Sequence, residues 1–169
     1  MHNPLYRHQP EPDEPYRFFC TVPTFNQVPL LAKPHLAAAV IAQLKATTAA
    51  IHPNHQLWGY VVLPESVQFV LEVEAERDYH LYVETFKEAS TLSLTQQILT
   101  NDEDLMDSIT FFNPAWNAPV YQIWQAGYHT QLLESPYAVS NKVADLIFKP
   151  VMLGLVSHPA DWPYSSYQP

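Results

Sequence analysis

The sequence predicts an α+β fold, a ferredoxin-like plait in which an antiparallel sheet carries helices on its faces. The first observation is the stretch 57–73, in which Pro64 separates two apolar runs of strand type. The second is a set of apolar stripes at helical spacing on both sides of that stretch. The third is the resulting order of strand, helix, strand, strand, helix, strand and helix, which is βαββαβ plus a C-terminal helix.

The central strand pair has the clearest pattern. In residues 66–73, Val67, Phe69, Leu71 and Val73 alternate with the other side chains, so each set faces one side of the sheet. The polar residues Ser66 and Gln68 therefore share a face.

Composition sets further limits. The chain has 169 residues, 47% of them hydrophobic, which predicts one soluble domain with a real core. One cysteine, Cys20, fits a reducing cytoplasm and a buried position, and neither a membrane span nor a secretory leader is apparent. Eight basic residues against seventeen acidic ones, a net charge of −9, argue against tight nucleic-acid binding.

In the first half of the chain, a boundary between an arm and a folded domain is predicted at Tyr16. Residues 1–15 are rich in proline and polar groups and predict a flexible arm, whereas 16–169 predict a single domain. Residues 16–22 predict the first strand. Pro34 begins a helix because its missing N–H costs little at that position. The apolar stripe of this helix consists of Leu36, Val40, Ile41, Leu44 and Ile51.

The second half is less regular. Asp78 predicts the cap of a second helix that runs to about Leu94, and 101–107 predict an acidic, solvated linker. Residues 111–118 predict an irregular segment and 121–128 a fourth strand. Ser135 predicts the N-cap of a third helix that ends by Lys149, because Pro150 disfavours helical geometry before it. The aromatic tail 162–167 is expected to pack on the domain.

Two other groups of residues invite a functional interpretation. His52 and His55 are spaced like metal ligands, but Pro53 prevents a helical ligand pair, which favours a helix-ending loop. Tyr128 and Tyr137 lie near the third helix as candidate nucleophiles, and packing is the better explanation of both.

Four segments in order resemble the REP-associated tyrosine transposases, a family of the HUH class of single-strand DNA transposases. The segments are FFCTVPTFNQVPLL (18–31), GYVVLPESVQFVLEV (59–73), IWQAGYH (123–129) and PVMLGLVSHPADWPYSSY (150–167). The last is similar to the family tail NPVKAGLV…P.DWPWSSY and is the most specific match. The second corresponds to a strand pair that normally includes YVVMPNHVHLLL.

The resemblance implies a metal-dependent chemistry. In the family, the two histidines of the HUH motif and an amide side chain from the last helix bind a divalent cation, Mg²⁺ or Mn²⁺. A tyrosine on the same helix attacks the scissile phosphate and forms a 5′-phosphotyrosine link. Ligands at i and i+2 of a strand share a face, and one helix across that face supplies both nucleophile and third ligand.

None of these groups is present at the corresponding positions of this chain. The two histidines fall on Ser66 and Gln68, the tyrosine on Asp145 and the amide ligand on Lys149. Lysine brings a positive charge where the cation would lie, and aspartate is not an equivalent nucleophile. The prediction is that no catalytic residue, metal site or cofactor is retained.

Three hypotheses follow from this pattern. The favoured one is a transposase-like DNA-binding domain that is catalytically inactive, a pseudoenzyme with weak affinity for single-stranded or hairpin DNA and a possible homodimer. The second is a metal-dependent phosphodiesterase with an altered site of Gln68 and Asp145, aided by Glu65. The third is a protein-interaction module without DNA binding.

The favoured hypothesis predicts a geometry. Ser66 and Gln68 should project from a central strand toward the helix that holds Asp145 and Lys149, with no metal between them. Asp145 and Lys149, four residues apart on that helix, are expected to form an ion pair.

Overall fold

The computed structural model describes residues 14–167, which form a four-stranded antiparallel sheet with helices on both faces. Residues 1–13 of the predicted flexible arm lie outside the described residues. Its strands are β1 (Tyr16–Pro23), β2 (Gln56–Leu63), β3 (Ser66–Val73) and β6 (His129–Leu132), in the order β2-β3-β1-β6. This order, with a helix after β1 and another after β3, is that of a ferredoxin-like plait, so the predicted fold class is confirmed. A separate hairpin contains β4 (Thr110–Asn113) and β5 (Ala118–Tyr121).

Within residues 14–167, four α-helices accompany the strands. They are α1 (Pro34–Ile51), α2 (Glu76–Asn101), the single turn α3 (Met106–Ile109) and α4 (Pro136–Met152). The predicted beginning of α1 at Pro34 and the Ser135 cap of α4 are confirmed, with Ser135 Oγ accepting a hydrogen bond from the Ala138 N–H at 3.1 Å. None of the helices among residues 14–167 is long and apolar enough to cross a membrane.

The sheet separates two apolar cores. The larger core lies under α1 and α2, and the alternating residues Val67, Phe69, Leu71 and Val73 of β3 all belong to it. Cys20 is also buried there, as expected. The smaller core lies under α4 and contains Val61, Leu63, Val70, Leu133, Val139 and Leu146. The period of two thus assigns each face of β3 to a different layer.

The predictions for residues 111–128 are wrong. The supposed irregular segment forms the β4–β5 hairpin, whose turn is closed by Asn113 Oδ1 accepting from the Ala115 N–H at 2.9 Å. The supposed strand 121–128 is mostly irregular, and the fourth strand of the main sheet is β6. Neighbouring Ile123 and Trp124 are both buried, which a strand with one buried face does not allow, and Gly127 has a φ of 77°.

The ends of two helices also differ from the prediction. Helix α2 begins at Glu76, so Asp78 lies in its first turn and is not the cap. It continues past Leu94 to Asn101, because Ile98 extends the buried stripe of Phe86, Ser90 and Leu94.

The predicted end of α4 at Lys149 is wrong as well. Pro150 lies inside the last turn, where it removes one hydrogen bond without stopping the helix. The helix ends at Met152 in a glycine cap: Gly154 has a φ of 71°, and the Leu155 N–H donates to the Pro150 carbonyl at 2.9 Å.

The segment 101–107 is not simply a solvated linker. It includes a short 3₁₀ turn, Glu103–Leu105, and the start of α3. Asp102 is buried, with Lys33 Nζ 3.1 Å from its Oδ1 and His35 Nε2 2.6 Å from its Oδ2. This acidic side chain connects the end of α2 to the start of α1.

The aromatic tail packs on the domain, as predicted. Trp162 Nε1 donates to the Val62 carbonyl at 3.0 Å, and the Ser166 N–H donates to the Tyr60 carbonyl at 2.9 Å. The tail therefore covers part of the outer edge of β2 and protects an otherwise open strand.

Candidate functional site

A cleft of about 320 Å³ lies between the sheet and α4. The sheet contributes Phe19, Thr21 and Gln68, and the helix contributes Lys142, Asp145, Leu146, Lys149 and Met152. We refer to these eight residues as the α4 cleft.

The sheet side of the α4 cleft is set by strand pairing. Thr21 of β1 lies directly opposite Gln68 of β3, and on its other side it lies opposite His129 of β6. Directly opposed residues of antiparallel strands point to the same face. Gln68, Thr21 and His129 therefore form a polar row across three strands.

The helix side is set by the helical period. Lys142, Asp145 and Lys149 are spaced by three and four residues and lie on the same side of α4. Leu146 is buried in the core beneath the helix, which holds this side of α4 against the sheet. Asp145 is exposed, whereas Lys142 and Lys149 are each partly covered.

Three of the four positions singled out in the sequence thus share one cleft: Gln68, Asp145 and Lys149. Ser66, at the start of β3, is not among its lining residues, and neither is the exposed Glu65. The sequence reasoning missed Thr21 and Lys142. Lys142 had a detectable signal, since it precedes Lys149 by two helical turns.

The expected ion pair between Asp145 and Lys149 is absent: the ion pairs within residues 14–167 do not include it. Lys142 Nζ lies 4.6 Å from the centroid of the Phe19 ring, which is a cation–π contact. Two lysines and one aspartate give the cleft lining a formal charge of +1, in a chain of net charge −9.

The donor set of the α4 cleft does not fit a divalent cation. It offers one carboxylate, one amide and one hydroxyl beside two ammonium groups. Across residues 14–167, no cluster of three or more His, Cys, Asp or Glu side chains is arranged to hold a metal. The two lysines would repel the cation that the altered-site hypothesis requires.

The other candidate residues lie away from this cleft. His52 and His55 follow α1, with ring centroids 5.3 Å apart, in a loop as predicted. Tyr128 packs on Tyr79, which agrees with the packing interpretation. Tyr137 is 75% exposed, which disagrees with that interpretation. Burial raises the pKa of the Cys20 thiol to about 12, so this cysteine stays neutral and is a poor nucleophile.

Comparison with known proteins identifies the fold. No protein-family model matches the chain, and no curated protein matches its sequence. Among solved structures, a REP-associated tyrosine transposase bound to a REP hairpin is similar, with a TM-score of 0.62 and 19% identity over 99% of this chain and 83% of that one.

A second similar structure is a candidate transposase from Deinococcus radiodurans R1. Its TM-score is 0.53 and its identity is 13%, over 82% of this chain and 92% of that one. Both similarities extend over more than four fifths of this chain. The chain therefore has a transposase-like fold, that of the REP-associated tyrosine transposases.

Proposed function

We propose that this protein is a transposase-like domain that binds single-stranded or hairpin DNA weakly and does not cleave it. The observation that carries the proposal is the α4 cleft, where Lys142 and Lys149 form a local positive charge on an acidic protein. The similar structure with the transposase fold was solved with a REP hairpin, which supports a DNA ligand of that kind.

The arrangement suits phosphate binding better than phosphate chemistry. Two ammonium groups on one side of α4 attract a backbone phosphate, and Thr21 and Gln68 opposite them offer hydrogen bonds. Asp145 takes the position where the resemblance expects the tyrosine nucleophile. Without that tyrosine or a suitable set of metal ligands, the cleft has no group to form a covalent link to DNA.

The affinity is expected to be low and dependent on salt. Each phosphate contact to a single strand contributes a slope of about −0.7 to a plot of log K against log salt concentration. Two lysines give a slope of about −1.4, so affinity should fall roughly sevenfold between about 50 and about 200 mM salt.

Fluorescence anisotropy with a labelled hairpin that carries a single-stranded flank tests this proposal over a salt series. The double variant Lys142→Gln, Lys149→Gln should flatten the salt dependence and weaken binding. Each single substitution, Lys142→Gln or Lys149→Gln, has Arg77→Gln as its control, because Arg77 is 90% exposed, lies outside the cleft and its replacement also removes one positive charge. Binding that is equally affected by Arg77→Gln would show general electrostatics and refute the cleft as the DNA site.

A protein-interaction module is the second candidate function. It is favoured by exposed apolar side chains of α4 that do not line the cleft, Tyr137 and Phe148, which are 75% and 53% exposed. A complete absence of hairpin binding at low salt, together with a concentration-dependent mass in sedimentation, would favour this candidate and a homodimer over DNA binding.

A further inference from the structure

A second cavity, larger than the α4 cleft, lies beside the edge strand β2. It has a volume of about 470 Å³ and opens between the end of α1, the loop 52–55 and the edge strand β2. Its walls include Lys45, Thr48, His52, His55, Trp58 and Tyr60. We refer to this space as the β2-edge cavity. No residue of it belongs to the α4 cleft.

One wall of the β2-edge cavity is aromatic. Trp58 is 43% exposed, although an indole ring of this size is normally well covered. Tyr60 lies two residues along the same strand, and Leu57 and Pro53 complete the apolar surface. Such a wall favours a flat ring that stacks on the indole.

The cavity also carries one full positive charge. Lys45 is exposed, and its Nζ lies 5.9 Å from the centroid of the Tyr60 ring. The ion pairs found in residues 14–167 leave Lys45 without a carboxylate within 4.0 Å. An anionic group of a ligand that rests on the aromatic wall would meet this ammonium.

A buried histidine with unsatisfied nitrogens supplies a third, independent observation. The His55 side chain is fully buried, and neither its Nδ1 nor its Nε2 has a hydrogen-bond partner among the described residues. The nearest carboxylate oxygen, Asp78 Oδ2, lies 3.8 Å from Nε2, beyond hydrogen-bond distance. Unsatisfied buried polar groups are rare in proteins, and a ligand site is one place where they occur.

Desolvation lowers the pKa of His55, so its ring is neutral near pH 7. A neutral imidazole has one donor and one acceptor nitrogen. His55 therefore adds no second cation beside Lys45, and because its side chain is fully buried, the direct contacts of a ligand fall on Trp58 and Lys45.

We propose that the β2-edge cavity binds a small planar aromatic molecule that carries a single anionic group. The volume lies within the range of small-molecule sites, roughly 300–1,000 Å³. The ring stacks on Trp58, and the anionic group pairs with Lys45.

A nucleic-acid strand fits this cavity less well than a small anion. Lys45 is its only lysine or arginine, whereas a strand brings one phosphate per nucleotide. Glu74 Oε2 lies 3.5 Å from His52 Nε2, so an acidic group stands beside the rim. One lysine with an acidic group nearby favours the binding of a single anion and disfavours the row of phosphates in a nucleic-acid strand.

Isothermal titration calorimetry with indole-3-acetate as the probe tests the proposal on the full chain. Indole-3-acetamide lacks the negative charge, and cyclohexaneacetate lacks the planar ring. Trp58→Leu and Lys45→Gln remove the two contacts in the protein. Arg77→Gln is again the charge control, since Arg77 does not line the cavity. Circular dichroism confirms that each variant is folded.

The expected result is binding of indole-3-acetate in the millimolar range or tighter, with weaker binding of both analogues. Lys45→Gln should weaken it roughly twofold to fivefold, as for an exposed charge pair, and Trp58→Leu by at least about tenfold. Nitrogen chemical shifts of the His55 ring should change on binding, while those of His129, on the opposite edge strand β6, should not.

Three outcomes would overturn the proposal. The first is no binding of indole-3-acetate at millimolar concentration. The second is binding that neither Trp58→Leu nor Lys45→Gln weakens. The third is displacement of indole-3-acetate by a short oligothymidylate, with Lys45→Gln weakening the binding of both molecules to the same extent. That result would assign the cavity to nucleic acid. None of these results depends on whether the α4 cleft binds DNA.

Discussion

Leu146→Ala should destabilise the protein by about 2–3 kcal/mol, because this side chain holds α4 against the sheet. Leu146 is 1% exposed and contacts a small core that includes Val61, Val70 and Val139. The α4 cleft exists only while this helix is docked, so the same substitution should also weaken any DNA binding there.

The magnitude follows from the size of that core. Leucine-to-alanine changes in protein interiors cost about 2–5 kcal/mol, depending on how far the surroundings close over the cavity. The smaller core, under α4, has only six buried residues, and the partly buried Phe19, Val143 and Trp162 at its border can shift inward. The lower half of the range is therefore expected.

Urea denaturation followed by circular dichroism measures the change in the free energy of unfolding. Phe148→Ala is the matched control, because Phe148 lies on the same helix but is 53% exposed, and it should cost less than about 1 kcal/mol. Equal losses in the two variants, or a loss below about 1 kcal/mol for Leu146→Ala, would refute the packing of α4 described above.

Three further substitutions test other parts of the fold. Gly59→Ala should lower the free energy of unfolding by about 1–3 kcal/mol, because the added Cβ would lie 3.0 Å from Val143 Cγ1. The additional change Val143→Ala should recover part of this loss, and no recovery would contradict the close approach. Ser90→Ala should lower the free energy of unfolding by about 1–3 kcal/mol, since Trp124 Nε1 donates to the buried Ser90 Oγ at 2.9 Å. Ser93→Ala is the control and should leave the stability nearly unchanged. Burial raises the pKa of Asp102, but Lys33 and His35 lower it by more, so the folded-state pKa lies below its ordinary value. The stability from this ionised carboxylate is present above the unfolded-state pKa and is lost as pH falls through the folded-state pKa. The difference between wild type and Asp102→Asn should therefore be largest near neutral pH and vanish in acid, and a difference independent of pH would contradict the pairing.

The sequence predicted the centre of the fold because local and long-range signals agree there. Alternation in 66–73 assigned Phe69 and Leu71 to the core, and the structure buries both. Pro34 and Ser135 marked helix starts through backbone chemistry that operates within one turn.

The segment 110–128 could not be predicted in the same way. Its aromatic and β-branched residues have high strand propensity, but their positions depend on distant partners. Trp124 is held by Ser90 of α2 and by a bridge to Thr24, and neither contact leaves a local pattern. Tertiary contacts, and not strand propensity, therefore determine the structure of this segment.

The candidate site was predicted in part. Gln68, Asp145 and Lys149 were found through the family resemblance, which supplies the position of the last helix. Thr21 enters the α4 cleft only through the pairing of β1 with β3, and that register is not visible in the sequence of either strand alone. The β2-edge cavity was also missed, since it depends on how the loop after α1 packs beside β2.

Incubation of the protein with a hairpin-flanked single-stranded oligonucleotide in Mg²⁺ or Mn²⁺ tests the central claim most directly. Native gels of the reaction measure DNA binding, and denaturing gels detect cleaved strands and covalent protein–DNA adducts. The expected result is a retarded band that weakens as salt rises, with no shortened strand and no adduct. A covalent adduct would contradict the loss of strand cleavage, and a complete absence of the retarded band at low salt would contradict DNA binding.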